Sequence, residues 1–568
     1  MSDQSPEPKP LSGAEWLARA IASSGTEHVF FIDAILRRTL IHLEGLGVQR
    51  HLAHSEKAAV YMADGYARVA GKPAFCFAQS VGAANMAAGL QDPYLARVPV
   101  VALTGRKVPG QHHANAYQEV DHKPLFAAVT KFSADVATAS DLPRLLRQAV
   151  RAATAGVPRP AHLDLFGLMG EVIELGSITE LAVIDRALMR VPAHRAVPAM
   201  SDVQAAAAQL LAAERVVIVA GDGAAQSGAG AEVLAVANAL AAPVVTSLGA
   251  RGLIPTRHPL AAGVVGNYAA PPANRIVNDA DLVLYVGCDT GDQVTHTWRI
   301  PSPGTRIVQI DPDAQELGRN YAGTLGLCGD PKATLALLAA ALGSPRRDRG
   351  FCEQAAASMA RWRASMSPHF THNGPGIRVE RLCAEIERAL PPDGILVADT
   401  GYSGIWTGTC IELNGPAELG GGQTYLRAAG SLGWSFPAAL GAKLAAGERK
   451  VICFSGDGAF YYHLAELETA RRRGIATVTV INNNSGFGQG WPNLLRQQGE
   501  VPGHPEEILR FGPTDFAKVA GSFGVAGIRV TEPSEIGPAL KRALGMEEPV
   551  VVDVVTDIET RAPEPWLP

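Results

Sequence analysis

The stretch 450–488 limits the possible folds of this chain more than any other. An apolar run precedes a Gly-Asp-Gly turn, a helical pattern then continues to Gly474, and 477–481 is again apolar. This alternation predicts a strand–turn–helix–strand unit. The helix returns the chain to the same edge of a parallel sheet, so the ends of the two strands lie side by side. The sequence therefore predicts that Asp457 and Asn484 are neighbours.

Two oxygen-bearing side chains at one sheet edge suit a hard cation. Asp457 and Asn484 are 484 − 457 = 27 residues apart, about the length of one crossover. Carboxylate and amide oxygens are ligands of Mg²⁺, which shares phosphate oxygens with a bound ligand. The glycine turn and the helix that follows it offer backbone N–H groups to an anion. We interpret the unit as a metal–diphosphate clamp. The alternative is an ordinary βαβ unit with a Gly-rich turn.

Gly456-Asp457-Gly458, followed by Asn483-Asn484 after the crossover, resembles the cofactor motif of thiamine-diphosphate (ThDP) enzymes. Nearly the whole chain is similar to acetolactate (acetohydroxyacid) synthases, near the oxalyl-CoA decarboxylase and 2-hydroxyacyl-CoA lyase branch. The resemblance implies ThDP and Mg²⁺ as cofactors, with the metal held by Asp457, Asn484 and the Gly486 carbonyl. It further implies these cofactor-binding residues: Gly401, Tyr402, Gly430, Leu432, Gly456, Gly458, Ala459 and Gly486. A core position for Tyr402 and a packing role for Gly430 are the alternatives.

Glu56 is the first catalytic candidate. It lies between a short polar stretch and an amphipathic helix, and the segments 54–59 and 62–68 resemble the glutamate motif of the family. The resemblance implies that Glu56 binds a ring nitrogen of the aminopyrimidine, which promotes loss of the proton from the reactive carbon of the cofactor. The alternative is a helix-start residue stabilised by the helix dipole.

In the family the glutamate and the clamp come from different subunits. The resemblance therefore implies at least a homodimer with active sites at the subunit interface, and a homotetramer is the expected assembly.

The sequence defines the residues that would contact the substrate less clearly than those that would bind the cofactor. Gln118 and His113 are the further catalytic candidates, and a surface or packed position is the alternative for such a histidine. The sequence predicts a small-residue turn at 79–85 and then a helix to Leu90, and residues 80–85 replace the Ser-Gly-Pro-Gly loop of the family. Such departures concern the substrate and leave the cofactor chemistry in place. Further pocket candidates are Gln79, Ser80, His112, Tyr117 and Lys131. We also expect residues 487–496 to form part of an active-site lid.

We consider three functions for a chain with these motifs. The first is decarboxylation and carboligation of 2-keto acids, as in acetolactate synthases, with a small-molecule substrate. The second is a 2-hydroxyacyl-CoA lyase or acyl-CoA decarboxylase. The third is a non-catalytic cofactor-binding subunit, which the presence of both Glu56 and the complete metal motif argues against.

Elsewhere apolar strands alternate with helical patterns, which predicts an α/β fold of three doubly wound domains, each with a mainly parallel sheet. Ser12 is the predicted N-cap of a first helix that runs to Gly25. The predicted domains are 1–185, 200–343 and 377–560, joined by linkers at 186–202 and 344–376. By the resemblance, they are the ThDP pyrimidine-binding domain, a middle Rossmann-like domain and the ThDP diphosphate-binding domain. Their similar size suggests an old triplication. The predicted strands are 29–32, 74–78, 98–103, 215–220, 243–247, 281–287, 306–310, 394–398, 451–454 and 477–481.

The middle domain carries a weaker signal. A strand is followed by Gly221-Asp222-Gly223, but Gln226 replaces the last glycine of a dinucleotide fingerprint. By the resemblance, FAD or a CoA or ADP nucleotide is a further cofactor candidate, and Arg251, Arg319 and Asp311 are positions that could meet it. A purely structural domain is the alternative.

Composition excludes several classes of function. The 568 residues have a formal net charge of −5, which argues against a nucleic-acid or anionic-membrane partner. The seven cysteines have no paired spacing and are expected to be reduced core thiols of a cytoplasmic protein. The first residues contain no apolar signal segment, and no apolar run is long enough to span a bilayer.

Overall fold

The computed structural model describes residues 9–344, 348–497 and 503–568. The chain divides into two compact units. The first unit comprises Met1–His194, Pro437–Gly447 and Ala465–Ile475, and the second comprises Arg195–Phe436, Glu448–Leu464 and Ala476–Pro568.

The described strands form three six-stranded parallel sheets and one short antiparallel pair. The strands of the first unit are β1 Leu11–Ser12, β2 His28–Phe31, β3 Gln49–Leu52, β4 Ala74–Ala78, β5 Val100–Arg106, β6 Phe132–Val136, β7 Ala161–Phe166 and β8 Ser177–Ile178. Those of the middle sheet are β9 Val216–Ala220, β10 Val244–Thr246, β11 Ala261–Val264, β12 Leu282–Val286, β13 Arg306–Asp311 and β14 Leu325–Cys328. Those of the third sheet are β15 Ile395–Ala398, β16 Thr424–Arg427, β17 Val451–Gly456, β18 Val478–Asn483, β19 Ala526–Val530 and β20 Val550–Val555.

Strand order distinguishes the middle sheet from the other two. The first sheet has the order β3-β2-β4-β5-β7-β6 and the third has β16-β15-β17-β18-β20-β19. Counted from one within each sheet, both orders are 2-1-3-4-6-5. The middle sheet, β11-β10-β9-β12-β13-β14, has the order 3-2-1-4-5-6. The α/β class and the parallel sheets are as predicted, but the topology does not support three copies of one unit.

Helices connect the parallel strands, as crossovers require. Up to residue 194 they are α1 Gly13–Ser23, α2 Arg37–Gly45, α3 Glu56–Ala70, α4 Ser80–Leu95, α5 His122–Ala127, α6 Leu142–Thr154 and α7 Glu171–Leu175. The next are α8 Met200–Leu211, α9 Asp222–Gln226, α10 Gly230–Leu240, α11 Pro271–Asn278, α12 Asp292–Thr295, α13 Pro331–Leu342 and α14 Gly350–Phe370. The last are α15 Val379–Ala389, α16 Tyr402–Cys410, α17 Ser435–Ala446, α18 Asp457–Phe460, α19 Glu466–Arg473, α20 Trp491–Gln497, α21 Phe516–Ser522 and α22 Ile536–Leu544.

The central strands are buried along almost their whole length. In β17 only the last residue is partly exposed, and β18 is buried throughout. Helices on both faces of a parallel sheet require such continuous apolar runs. Each fully buried Val, Leu or Ile side chain stabilises the fold by about 1.5–3 kcal/mol. This burial holds the carboxyl ends of the strands in register.

The sequence patterns predicted most of the inner strands of the three sheets but none of the edge strands. Every predicted strand is present within three residues of its predicted bounds, and Ser12 caps α1 by accepting a hydrogen bond from the N–H of Glu15 at 3.2 Å. The six edge strands β3, β6, β11, β14, β16 and β19 were not predicted. Four of them carry polar residues, as in the Gln-Arg-His-Leu of β3, and the short strands β11 and β14 are each interrupted by a glycine, so none shows a long continuous apolar run.

Two inner strands, β7 and β20, were missed as well. Each contains an aspartate, Asp164 in β7 and Asp553 in β20, and both aspartates are buried. A carboxylate interrupts the apolar run that marks a buried strand in the sequence. Hydrogen bonds from His122 and Asn483 compensate for its burial.

Two segments predicted as irregular are helical. The helix predicted after the turn at 79–85 is present, but it begins at Ser80, so most of the predicted turn is the start of α4. Its buried Ala83, Met86, Ala87 and Leu90 have helical spacing that the small residues conceal. The linker predicted at 344–376 contains the 21-residue helix α14, because Cys352, Ala355 and Met359 pack onto the middle sheet. Its predicted opening, 345–347, lies outside the described residues.

The cysteines are all free thiols, as predicted. Six are buried, but Cys328 is exposed at the end of an edge strand, which corrects the expectation that all are in the core. None of the helices in the described ranges combines the length and apolar character that crossing a bilayer requires.

Candidate active site

A cavity of about 490 Å³ lies at the carboxyl ends of β15, β17 and β18 in the second unit. This is the edge at which parallel α/β sheets bind ligands, and the volume lies within the range of small-molecule sites. Its lining residues are Tyr268, Thr400, Gly401, Tyr402, Ser403, Leu432, Gly456, Asp457, Gly458, Ala459, Asn482, Asn484, Gly486, Phe487, Gly488, Gln489 and Gly490.

Asp457 and the turn after β18 are neighbours, as the crossover argument predicts. Strands β17 and β18 pair in parallel, with Gly456 opposite Asn482. Ser485 has the left-handed backbone angle φ of 56°, which turns the chain back towards β17. Asp457 Oδ2 accepts a hydrogen bond from the Gly486 N–H at 3.1 Å, and Oδ1 accepts one from the Gly458 N–H at 2.8 Å.

The electrostatics at Asp457 suit a cation. The residue is 2% exposed, and burial raises the pKa of its carboxyl to about 6 despite its backbone donors. Asn484 also lines the cavity, and its Oδ1 is buried without a hydrogen-bond partner among the described residues. An unsatisfied amide oxygen beside a buried carboxylate is an oxygen donor set of the kind that Mg²⁺ takes. Within the described ranges, no group of three or more His, Cys, Asp or Glu side chains could hold a metal. A cation here would therefore use amide and carbonyl oxygens beside Asp457.

The helix after the Gly-Asp-Gly turn is shorter than predicted. The sequence predicts one helix that continues to Gly474, whereas α18 has four residues and is separated from α19 by a 3₁₀ turn at Tyr461–His463. The Asp457 side chain also engages the N–H of Gly458. The turn therefore offers fewer free backbone donors to an anion than the sequence suggested.

Most of the predicted cofactor-binding residues lie together in this cavity. It is lined by Gly401, Tyr402, Leu432, Gly456, Asp457, Gly458, Ala459, Asn484 and Gly486. Gly430 does not line the cavity and is exposed. Trp406, considered with Tyr402 as a core aromatic, is fully buried. Residues 487–490 of the predicted lid contribute to the wall.

Tyr268 is a lining residue that sequence reasoning missed. It belongs to the loop between β11 and α11, and its hydroxyl accepts a hydrogen bond from Gln489 Nε2 at 3.4 Å. No motif surrounds Tyr268, and the contact joins residues 221 positions apart. Only the folded chain brings it to the cavity.

Glu56 is the first residue of α3 in the first unit. Ser55 caps the helix by accepting a hydrogen bond from the Ala58 N–H at 3.1 Å, so the carboxylate of Glu56 is not needed as the cap. Asn85 Nδ2 donates to Glu56 Oε2 at 3.2 Å. A Cβ atom at Gly82 would lie 2.4 Å from Glu56 Oε1, so only glycine leaves room for this carboxylate. The first turns of α4 thus hold Glu56 in place.

The structure joins Gln118 to three other candidates, Gln79, Ser80 and Tyr117, but not to His113. The side-chain amide of Gln118 donates to the Tyr117 hydroxyl at 3.1 Å. Gln118, at a φ of 59°, accepts hydrogen bonds from the Gln79 side-chain amide and, through its carbonyl, from the Ser80 hydroxyl. His113 is exposed in the same loop, and its N–H donates to Glu119 Oε1 at 2.8 Å. The ammonium of Lys131 donates to the Val157 carbonyl at 2.8 Å, a structural contact.

Two histidines in the first unit are buried in polar networks. His162 lies 2.6 Å from the Thr104 hydroxyl through Nε2 and 2.9 Å from the Ser133 hydroxyl through Nδ1, and its ring stacks on Phe126. His51 lies 2.9 Å from His28 through Nε2. Burial lowers the pKa of each ring, His51 and His162, to about 3, so both are neutral at pH 7.

The Gly-Asp-Gly turn after β9 of the middle sheet is closed, because a neighbouring segment of backbone covers it. A Cβ atom at Gly221 would lie 2.3 Å from the Gly287 carbonyl oxygen, and that oxygen accepts a hydrogen bond from the Gly223 N–H at 2.9 Å. Arg251 is buried and donates to the Ile411 carbonyl. These contacts give no support to a nucleotide at this turn.

The comparisons with known proteins agree with this geometry. Three family models match: the N-terminal TPP binding domain of thiamine pyrophosphate enzymes at 11–125, their central domain at 203–338 and their C-terminal TPP binding domain at 399–554. The probable acetolactate synthase large subunit of Methanocaldococcus jannaschii is 31% identical over 96% of this chain and 92% of its own length. The acetolactate synthase isozyme 2 large subunit of Escherichia coli is 28% identical over 96% of both chains. The probable 2-ketoarginine decarboxylase AruI of Pseudomonas aeruginosa is 30% identical over 96% of this chain and 94% of its own length.

Proposed function

This chain belongs to the acetolactate-synthase-like family of ThDP-dependent enzymes, and we propose that it uses ThDP and Mg²⁺ to break or form the carbon–carbon bond next to the carbonyl of a 2-keto acid. The observation that carries the proposal is the cavity in which Asp457 and Asn484 lie together at neighbouring strand ends.

The metal would be held by Asp457, Asn484 and the Gly486 carbonyl. The Asn484 Oδ1, which has no hydrogen-bond partner among the described residues, and the buried Asp457 carboxylate support this assignment, because both are oxygen ligands of the kind that Mg²⁺ takes. Ionised Asp457 is the ligand form, and a bound cation favours that form. Gly401, Tyr402, Gly456, Gly458 and Ala459 would surround the diphosphate. Gly430 would contact the aminopyrimidine through its carbonyl, and Leu432 would be the apolar side chain that packs against the cofactor.

Glu56 would hydrogen-bond a ring nitrogen of the aminopyrimidine. When bound, ThDP would supply a carbon nucleophile for the keto group and an acceptor for the negative charge left by decarboxylation. The role of Glu56 is to share a proton with the ring nitrogen, and Asn85 and Gly82 hold its carboxylate for that role. The proposed assembly is at least a homodimer in which one subunit contributes Glu56 and the other contributes the Asp457 site, with a homotetramer as the larger form.

The substrate would meet the first-unit loop that carries Gln118 and His113. Gln118 is held by Gln79 and Ser80, which supports a positioned polar group there, whereas exposed His113 would need a second subunit or the substrate to order it.

The similarity to AruI favours a second candidate reaction, decarboxylation without carboligation. No nucleotide in the middle domain is part of the proposal. The free thiols support the reducing cytoplasm as the location.

Turnover of 2-keto acids tests the proposal. The purified protein is reconstituted with ThDP and Mg²⁺ and given pyruvate, and the loss of pyruvate and the appearance of acetolactate are both followed. We expect CO₂ release that requires both cofactors. Acetolactate formation identifies the synthase reaction, while aldehyde formation, with pyruvate or a longer 2-keto acid, identifies a decarboxylase. Failure to bind ThDP in the presence of Mg²⁺ would contradict the proposal.

A further inference from the structure

Asp399 is a fully buried carboxylate beside the cavity. It directly follows β15, and its N–H donates to the Phe454 carbonyl of the neighbouring strand β17 at 3.2 Å. The residues after it, from Thr400 to Ser403, form one wall of the cavity. Asp399 itself does not line the cavity.

Three backbone N–H groups donate to the Asp399 carboxylate. Oδ1 accepts from Thr400 at 3.0 Å and from Gly433 at 3.1 Å, and Oδ2 accepts from Ser435 at 2.9 Å. Burial nevertheless raises the pKa of the Asp399 carboxyl above its ordinary value. A buried carboxylate is unfavourable unless its hydrogen bonds compensate, so these three contacts are the reason that an acid can occupy this position.

The contacts join two segments that both line the cavity. Thr400 begins one of them. The other is the loop 428–434 between β16 and α17, called here the Leu432 loop, in which Gly433 follows Leu432, and Ser435 is the first residue of α17. Gly433 has a φ of 88°, and a Cβ atom there would lie 2.6 Å from Tyr462 Cβ and 3.1 Å from the Ala459 carbonyl oxygen. The Leu432 loop therefore packs closely on the segment that follows Asp457, and Asp399 holds it there.

We infer that Asp399 is a positioning residue that fixes the Leu432 loop and the Thr400 segment in the shape that accepts the cofactor. This inference rests on the proposed function. An asparagine has the same shape as aspartate but only one acceptor oxygen, so its amide N–H₂ would face the N–H of Ser435 or Gly433. One donor would then be left unsatisfied, and the loop would move away from it.

The test compares Asp399→Asn with Asp281→Asn. Asp281 is the matched control because its two oxygens accept backbone N–H groups at Glu214 and Arg215, each at 3.0 Å, in a loop that does not line the cavity. ThDP binding at saturating Mg²⁺ is measured by titration calorimetry, and the melting temperature of each cofactor-free protein is recorded. We expect the Kd to rise about 10-fold or more in Asp399→Asn and to stay within about twofold in Asp281→Asn.

The results separate this inference from the proposed function. If the unaltered protein does not bind ThDP, the proposed function fails and the inference fails with it. If the unaltered protein binds and Asp399→Asn binds equally well, the inference is wrong and the proposed function stands. An equal loss of affinity in both variants also overturns it, since a general loss of stability would then be the cause.

A measurement on the unaltered protein decides the case in which Asp399→Asn does not fold. Amide hydrogen exchange of the cofactor-free protein is followed in overlapping peptides across 428–436. We expect Gly433 and Ser435 to exchange slowly, because both donate to a buried carboxylate. Exchange as fast as that of an open loop would overturn the inference.

Discussion

The chain carries the sequence Gly-Asp-Gly-Ala twice, at 221–224 after β9 and at 456–459 after β17. Both copies follow a buried parallel strand and begin a short helix. At the first copy, the backbone after β12 covers the turn, with the Gly287 carbonyl oxygen 2.3 Å from the Cβ position of Gly221. At the second copy, the atom nearest to the Cβ position of Gly456 is the Ser403 hydroxyl oxygen at 3.7 Å, and the turn opens into the cavity.

The side chains of the two aspartates, Asp222 and Asp457, also have different hydrogen-bond partners, because different segments of the chain lie beside the two turns. Asp222 accepts a hydrogen bond from the Ser247 hydroxyl at 2.5 Å, which is a contact between the segments that follow β9 and β10. Asp457 accepts from the backbone of its own turn and of the turn after β18, with Asn484 beside it. The neighbouring strand end therefore decides whether this tetrapeptide becomes part of a site. The motif alone does not.

Matched substitutions of the two aspartates give the largest expected effect. Asp457→Asn should weaken Mg²⁺-dependent ThDP binding by more than about 100-fold, because it removes the charged metal ligand. Asp222→Asn should leave the Kd within about twofold, since Asp222 lies at the closed turn. Calorimetric titration of both variants measures this. Equal losses would remove the distinction between the two copies.

Glu56→Gln separates binding from chemistry. We expect turnover to fall by about 100-fold or more while ThDP still binds, because the glutamine amide cannot share a proton with the cofactor ring. Glu15→Gln is the control, since Glu15 is also in the first turn of its helix, α1. If Glu56 acted only on the helix dipole, the two variants would behave alike, with a stability change of about 0.3–1 kcal/mol and unchanged turnover.

Alanine substitutions of the first glycine in each Gly-Asp-Gly-Ala copy, Gly221 and Gly456, test how much free space each turn contains. Gly221→Ala should destabilise the protein by about 1–3 kcal/mol, because the added methyl group overlaps the Gly287 carbonyl. Gly456→Ala should change stability by less than about 0.5 kcal/mol, since its Cβ position is open. Both backbones have a negative φ that alanine adopts readily, so strain does not enter. Urea unfolding of the cofactor-free variants measures the difference, and similar losses would contradict the geometry.

Two buried histidines of the first unit make the stability of the folded protein depend on pH. The pKa of His51 and of His162 is lowered to about 3 by burial, against 6.5 when exposed. Below pH 6.5 the unfolded chain therefore binds protons that the folded chain does not, and stability falls by up to about 1.4 kcal/mol per pH unit for each ring until the pH approaches 3. We expect His162→Gln to reduce the slope of unfolding free energy against pH between 6.5 and 5. The exposed His504→Gln should leave that slope unchanged, and an unaltered slope in both would show that His162 is not the cause.

Sequence patterns predicted most of the inner strands and the neighbouring positions of Asp457 and Asn484, because both depend on local periodicity and on the geometry of one crossover. They could not predict the edge strands, which are short and interrupted by polar residues or glycine, or the first turns of α4, whose small residues conceal its apolar face. Tyr268 at the cavity was also missed, since its contact with Gln489 joins distant parts of the chain.

The amino-acid sequence by itself determined the α/β class, the parallel sheets and the family, since apolar runs, turn glycines and motif spacing act over short stretches of chain. Only the tertiary structure decided which of the two Gly-Asp-Gly-Ala turns opens into a cavity and which is closed by a neighbouring backbone. It also decided that Asp399 holds the Leu432 loop. The physical reason is that free space and hydrogen-bond partners at a strand end are supplied by residues from elsewhere in the chain, and no local pattern specifies them.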